Sequence, residues 1–194
     1  MLARALGQPL EDYLRPGSPV QEAIASTVSH FCAVAREALV QGIDGCSAPN
    51  YAVPLRSLAL AFARLSLEST DRTYSSTAHR VAKAMSRHPE LVSGEGRNDL
   101  ILMRAGRGDW FSKVGADGVQ ALGIFSRGVG VAAKCSDGQL VPLMVALVTA
   151  LEQLGWLDEA SRSVLATLMP PPMRNVAGLE VGEMTAVWQL TMAA

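Results

Sequence analysis

The side chains with the most potential for chemistry in this sequence are its few lysines and cysteines. The lysines are Lys83, Lys113 and Lys134. A serine three residues before a lysine places a hydroxyl and an amine one helical turn apart, where the amine can deprotonate the hydroxyl. No serine precedes any of these lysines at that spacing, and no Gly-x-Ser-x-Gly segment occurs. The residues alone therefore give no local signature of a serine nucleophile.

Cys46 has a second possible metal ligand close by, because Asp44 lies two residues before it. Zinc needs three or four protein ligands, and no other cysteine or histidine stands at a ligand-like spacing to this segment. The pair is therefore either a turn with a buried thiol or one part of a metal site. A third hypothesis is a Cys46 nucleophile activated by His79 or His88, neither of which the sequence places.

Composition limits the classes of protein to consider. The chain has 194 residues, of which 49% are hydrophobic and 18% charged, and its net charge is −1. These values predict one domain, residues 1–194, with a substantial core and no basic surface for nucleic acid. Three widely spaced cysteines, no signal peptide and no membrane-length apolar stretch predict a cytoplasmic protein that contacts no membrane.

The elements that must position these side chains follow from capping residues and hydrophobic spacing. Ser18, Pro19 and Gln21 form a helix start with capping-box spacing. Three short apolar runs separated by Asp-Gly and Ser-Arg-Gly turns predict an antiparallel β-meander. Before the meander we predict a helix over 18–42, a loop over 43–50, a helix from Pro54, a Ser/Thr-rich linker over 69–77, a helix that Ser76 or Thr77 caps and that ends at Arg87, and a helix over 98–104. The three strands of the meander are predicted over 110–114, 119–125 and 129–135. After it we predict helices over 140–154 and 158–168 and a strand over 179–190. The fold class is α+β, an antiparallel β-meander packed with helices.

Ordered blocks of this sequence resemble the bacterial L-asparaginase II family. The resemblance extends from about Gly7 to about Val187. No block is specific alone, but their common order is hard to obtain by chance. The blocks are Ser18-Pro19-Val20-Gln21, Asp44-Gly45-Cys46-Ser47-Ala48-Pro49, the stretch from Ala84-Met85 through His88-Pro89, Arg97 and Asp99 to Leu102-Met103, Lys113-Val114-Gly115-Ala116-Asp117-Gly118, and residues 131–138.

The resemblance implies a hydrolase that converts L-asparagine and water to L-aspartate and ammonia, on a fold similar to serine β-lactamases and glutaminases. In such proteins a serine activated by a lysine attacks the side-chain amide. Carried over residue by residue, Lys113 is a second active-site lysine, Cys46 is one ligand of a zinc ion, and Asp44 orients that site or the substrate ammonium. The resemblance further implies a homodimer and a buried structural pair of Arg97 and Asp99.

The sequence departs from the family at the catalytic segments. The family's Ser-x-x-Lys pair and Cys-Ser-Gly-Lys-His block have no counterpart here, and Ser18 replaces a usual histidine. The chain therefore resembles the C-terminal two-thirds of the family, with a fold incomplete at the N-terminus, and we expect it to be inactive alone. The alternative is a non-catalytic interaction or subunit module on the same scaffold. The assignment depends on one hypothesis, that the loop of Asp44 and Cys46 and the strand of Lys113 meet at one pocket wall.

Overall fold

The computed structural model describes residues 1–68 and 75–191 and confirms the predicted α+β class. Most helices precede a three-stranded sheet, and two further helices and a small hairpin follow it. The helices are α1 (Leu2–Ala5), α2 (Pro19–Cys32), α3 (Leu55–Ser66), α4 (Ser75–Arg87), α5 (Glu90–Ser93), α6 (Asn98–Ala105), α7 (Leu140–Gln153) and α8 (Glu159–Leu165). The strands are β1 (Val40–Ile43), β2 (Pro49–Ala52), β3 (Trp110–Gly115), β4 (Val119–Ile124), β5 (Val129–Lys134), β6 (Met173–Arg174) and β7 (Glu180–Gly182).

Helix α2 begins where the sequence predicts but ends earlier. The N–H of Gln21 donates to the Oγ of Ser18 at 3.3 Å. The Gln21 side chain does not complete a capping box, because its amide donates to the carbonyl of Tyr13 at 2.7 Å. The predicted continuation to Gly42 is wrong, since Ala33 adopts a left-handed conformation (φ 50°) and ends the helix.

A β-hairpin stands where the sequence predicts the end of a helix and a loop. Strands β1 and β2 pair antiparallel, with Val40 opposite Ala52 and Ile43 opposite Pro49. The predicted loop over 43–50 is therefore too long at both ends. Strand β1 is exposed along its whole length, so it lacks the alternating burial by which a strand is recognised in sequence.

Helix α3 starts directly after Pro54, as predicted. Of the predicted linker over 69–77, residues 69–74 lie outside the described residues. Its last part belongs to α4, so a cap at Ser76 or Thr77 is wrong. The predicted end of α4 at Arg87 and the predicted short helix over 98–104 are both confirmed.

The predicted β-meander is confirmed as the sheet β3-β4-β5. Trp110 lies opposite Ile124 on the neighbouring strand, and Val119 lies opposite Lys134 on the third. The turn between the first two strands uses positive φ at Asp117 (56°) and Gly118 (72°), which matches the Asp-Gly signal. The sheet fixes the position of Lys113 at the centre of β3, opposite Ala121.

The two faces of this sheet pack against different helices. Trp110, Leu122 and Ile124 join a buried cluster with α7 and α8, whereas Phe111 points to the other face. There it meets Ala82 of α4 and Met103 of α6, with Phe62 of α3 stacked on its ring at 5.4 Å between centroids. Alternation along β3 therefore supplies side chains to both halves of the core.

Helix α3 crosses β5 in direct main-chain contact. A Cβ atom on Gly130 would lie 1.9 Å from the carbonyl oxygen of Ala59 and 2.6 Å from the backbone nitrogen of Ala63. Only glycine fits at this crossing, since any side chain would overlap the helix backbone.

The C-terminal helices are tied to the turn that precedes the sheet. Helix α7 ends before Gly155 (φ 67°), as predicted, and Asp158 caps α8 by accepting from the N–H of Ser161 at 2.8 Å. Arg107 forms a two-pronged ion pair with Asp158, one arm of which measures 3.1 Å. The predicted strand over 179–190 is wrong in length, because only Glu180–Gly182 forms a strand, paired with β6. Among the described residues, no helix combines the length and apolarity that a membrane crossing requires.

Candidate functional site

Lys113 lies at the centre of β3 with a half-exposed side chain. Its Nζ donates to the carbonyl of Val114 at 2.9 Å and lies 3.9 Å from Oδ2 of Asp99. The Lys113 side chain is 51% exposed, whereas that of Asp99 is fully buried. The ammonium can therefore meet a ligand from solvent while it faces a carboxylate beneath it.

Asp99 accepts hydrogen bonds at both carboxylate oxygens. Its Oδ1 accepts from the hydroxyl of Ser112 at 3.0 Å and from the side-chain amide of Gln120 at 2.6 Å. Its Oδ2 accepts from the N–H of Val114 at 3.0 Å. Ser112 and Gln120 are themselves fully buried, and the Gln120 amide also donates to the Ser112 hydroxyl at 2.6 Å. A buried carboxylate with this many donors is held in one orientation.

The sequence-based pair of Arg97 and Asp99 is wrong. Arg97 is exposed, and the ion pairs within the described ranges 1–68 and 75–191 do not join it to Asp99. Asp99 is the second residue of α6, where an acidic side chain is favoured by the positive end of the helix dipole. Leu100, Leu102 and Met103 anchor that helix in the core, so the helix turns Asp99 towards β3 rather than towards Arg97.

Sequence reasoning missed Ser112 and Gln120 as members of the site. The only signal for them was polarity at two positions in otherwise apolar strands, since Ser112 follows Trp110-Phe111 and Gln120 follows Val119. Buried polar side chains need hydrogen-bond partners, so such positions point to an unrecognised acidic or basic neighbour.

Asp44 and Cys46 lie together in the turn between β1 and β2. The Oδ1 of Asp44 accepts from the N–H of Cys46 at 2.8 Å and from that of Ala48 at 3.1 Å. Ser47 has φ 64°, which the side-chain bonds of Asp44 support. Cys46 is exposed and free, so the thiol is not buried as one interpretation of this turn supposed.

The described residues do not by themselves fit a zinc ion. Zinc takes three or four protein ligands, and within 1–68 and 75–191 no group of three or more histidine, cysteine or acidic side chains could hold a metal. One oxygen of Asp44 is already engaged by two backbone N–H groups. Cys46 therefore brings at most one part of a site.

The two histidines considered as a base for Cys46 have other neighbours in the described structure. His79 packs edge-on against Phe125 at 5.4 Å between ring centroids, and Nδ1 of His88 lies 3.8 Å from Glu90. In the described part of the chain, no hydrogen bond links either imidazole to the β1–β2 turn. The geometry gives this hypothesis no support.

The structure brings Asp44 next to Cys46, and it brings Lys113 next to Asp99. The bonds recorded for the described residues include no hydrogen bond or ion pair between these two groups. The hypothesis that they share one pocket wall stays a prediction. What the described residues do provide is an ammonium group, half in solvent, above a fixed buried carboxylate.

Comparison with known proteins identifies the family. The family model described as L-asparaginase II matches residues 1–186, which is nearly the whole chain. No curated protein matches the chain at a significant level. Because the family match includes both the turn of Asp44 and Cys46 and the strand of Lys113, the chain belongs to the L-asparaginase II family.

Proposed function

We propose that this chain provides one wall of an L-asparaginase active site, with Lys113 as its catalytic lysine, and that the chain does not complete the reaction alone. The family match supports an asparaginase-type function. The observation that carries the proposal is the position of Lys113, whose half-exposed ammonium lies on the edge strand β3 beside the buried carboxylate of Asp99. We further propose that the described sheet and helices correspond to part of a β-lactamase-like or glutaminase-like arrangement.

Each step in the hydrolysis of asparagine requires a particular group in such a site. A nucleophilic oxygen attacks the side-chain amide carbon of L-asparagine, the C–N bond breaks, and the nitrogen leaves as ammonia after it receives a proton. Water then cleaves the resulting ester and releases L-aspartate. A fixed ammonium at Lys113 can stabilise negative charge on the attacked carbonyl oxygen or bind a carboxylate of the substrate.

We infer that the nucleophile is not supplied by this sequence. The sequence contains no Ser-x-x-Lys segment, because no serine stands three residues before any of its three lysines. Removal of a nucleophile and its base typically lowers the rate by several orders of magnitude. Zinc would likewise need ligands in addition to Asp44 and Cys46, so no step here depends on it.

An assay of ammonia release from L-asparagine tests the proposal. We expect no release by the chain alone, and release when it is joined to a family segment that carries Ser-x-x-Lys and Cys-Ser-Gly-Lys-His. Lys113→Met should then lower kcat/KM on the order of 100-fold or more. Lys134→Met is the matched control, since Lys134 is an exposed lysine of the same sheet and should leave the rate unchanged.

The outcomes separate the two functional hypotheses. Turnover by the chain alone would contradict the proposed need for an added nucleophile. A folded fusion that remains inactive would favour a non-catalytic interaction or subunit module. An active fusion in which Lys113→Met and Lys134→Met behave alike would reject Lys113 as the catalytic lysine.

A further inference from the structure

Lys113, Val114 and Asp99 form a closed ring of contacts. The Lys113 ammonium donates to the carbonyl of Val114 at 2.9 Å, and the N–H of Val114 donates to Oδ2 of Asp99 at 3.0 Å. The ring closes because the same Oδ2 lies 3.9 Å from the ammonium. The ammonium of Lys113 thus contacts the carbonyl of Val114, and the carboxylate of Asp99 contacts the N–H of the same residue. These two contacts fix the distance between the charged groups.

We propose that Asp99 is the positioning residue of Lys113, a buried carboxylate that holds the ammonium at one place above the sheet. This inference rests on the proposed function in one respect, the role of Lys113 in the active site. Asp99 would touch neither the substrate nor the reacting atoms. It acts through the lysine, by opposite charge and by the shared contact with Val114.

The two carboxylate oxygens of Asp99 contact different groups. Ser112 and Gln120 both bind Oδ1, which leaves Oδ2 for Val114 and for the charge of Lys113. This orientation has an energetic cost, because among the described residues Oε1 of Gln120 is buried without a hydrogen-bond partner. An apolar side chain in place of Gln120 would avoid that cost, so the presence of the polar network points to a role beyond packing.

The three lysines differ in what holds their ammonium groups. Nζ of Lys83 lies 3.6 Å from the ring centroid of Phe125, and that of Lys134 donates to the carbonyls of Asp117 and Cys135. Within residues 1–68 and 75–191, Lys113 is the lysine that has a carboxylate within 4.0 Å. The contact between Lys113 and Asp99 is therefore particular to this lysine and is not shared by Lys83 or Lys134.

Lysine side-chain NMR of the chain alone tests this inference. With only three lysines, selective ¹³C labelling gives three sets of Cε–Hε signals, and Lys113→Arg identifies the set of Lys113. A fixed ammonium makes the two Hε protons of Lys113 inequivalent. We expect Asp99→Asn to abolish this inequivalence, because the opposite charge is lost, while the signals of Lys83 and Lys134 keep their positions.

Asp109→Asn is the matched control. Asp109 also accepts from a backbone N–H and a hydroxyl, both of Ser126, but no lysine lies beside it in the described structure. This variant should leave the Lys113 signals unchanged. Ser112→Ala provides a second variant if Asp99→Asn fails to fold, and should reduce the inequivalence because Asp99 loses one of its anchors.

The result does not depend on catalysis. Equivalent Hε protons of Lys113 in the unmodified chain, or unchanged inequivalence in folded Asp99→Asn and Ser112→Ala, would overturn the positioning role even if the fusion hydrolyses asparagine. Loss of inequivalence in Asp99→Asn with an inactive fusion would leave Asp99 as the group that fixes Lys113 and would reject the proposed function alone.

Discussion

At the scale of single residues, the three cysteines show how neighbouring atoms change one type of side chain. Burial at the end of α2 raises the pKa of the Cys32 thiol, and the charge of Arg64 offsets this in part. The thiol of Cys135 donates to Asp137 at 3.0 Å, which raises its pKa because the bond is lost when the proton leaves. Cys46 is exposed in the β1–β2 turn.

These differences predict the order in which the thiols react with iodoacetamide at neutral pH. Cys46 should react first and Cys32 at least about tenfold more slowly, because the thiolate is the reactive form and burial disfavours it. Peptide mass mapping over time measures each rate. Cys46→Ser should remove the fast phase and leave the slower phases unchanged, and fast labelling of Cys32 in the folded chain would contradict the structure.

Sequence patterns singled out the exposed candidates Lys113 and Asp44, which remain predictions, and missed the buried neighbours of Lys113. Lys113 and Asp44 lie in short motifs that can be recognised without knowledge of the fold. The pairing of Asp99 with Arg97 that the resemblance implied was wrong, because α6 turns the carboxylate towards Ser112 of β3, 13 residues away. Such a pairing depends on how a helix docks on a sheet, which a local pattern does not encode.

At the scale of elements, the contact of α3 with β5 gives the sharpest expectation. Gly130→Ala should destabilise the fold by roughly 1–3 kcal/mol or more, since the added Cβ would overlap the main chain of α3 rather than a flexible side chain. Urea unfolding followed by circular dichroism measures the change.

Gly42→Ala is the control for this substitution. Gly42 is also a strand glycine, but a Cβ there would meet no atom within 4 Å. Its effect should be close to zero or slightly stabilising. Equal midpoints for Gly130→Ala and the unmodified chain would show that α3 does not rest on β5 as described.

Elements with a buried face were predictable, and exposed ones were not. Strands β3 and β4 present apolar side chains to the core, and the turn between them carries the Asp-Gly signal. Strand β1 is exposed throughout, and the left-handed residue that ends α2 is an alanine, for which no sequence signal exists. The tail over 179–190 was predicted as one strand from its apolar residues, yet most of it has no pairing partner in the described structure.

At the scale of the whole molecule, the ion pair of Arg107 and Asp158 joins residues 51 positions apart. It links the turn before β3 to the start of α8. Hydrogen bonds from Arg107 and from the N–H of Ser161 hold the pKa of Asp158 well below its ordinary value of 3.8. An acid whose pKa is lowered by folding stabilises the native state above its unfolded pKa, and that contribution disappears as the pH falls.

We therefore expect Asp158→Asn to lower the melting temperature at pH 7 and to have a progressively smaller effect as the pH falls below about 4. Thermal unfolding between pH 2 and pH 7 measures this dependence. Asp12→Asn, at an exposed position, serves as the control and should run parallel to the unmodified chain. A constant difference between Asp158→Asn and the unmodified chain across this range would show that the ion pair does not contribute.

The bond from Val114 to Asp99 has a consequence for the free edge of the sheet. The N–H of Val114 donates to a side chain and not to β4, so it points outward from β3 in the plane of the sheet. Asp99 occupies the place where an added strand would accept that bond. We therefore expect that a strand from another molecule does not pair along the full length of β3, because the carboxylate that faces the lysine also occupies this part of the sheet edge.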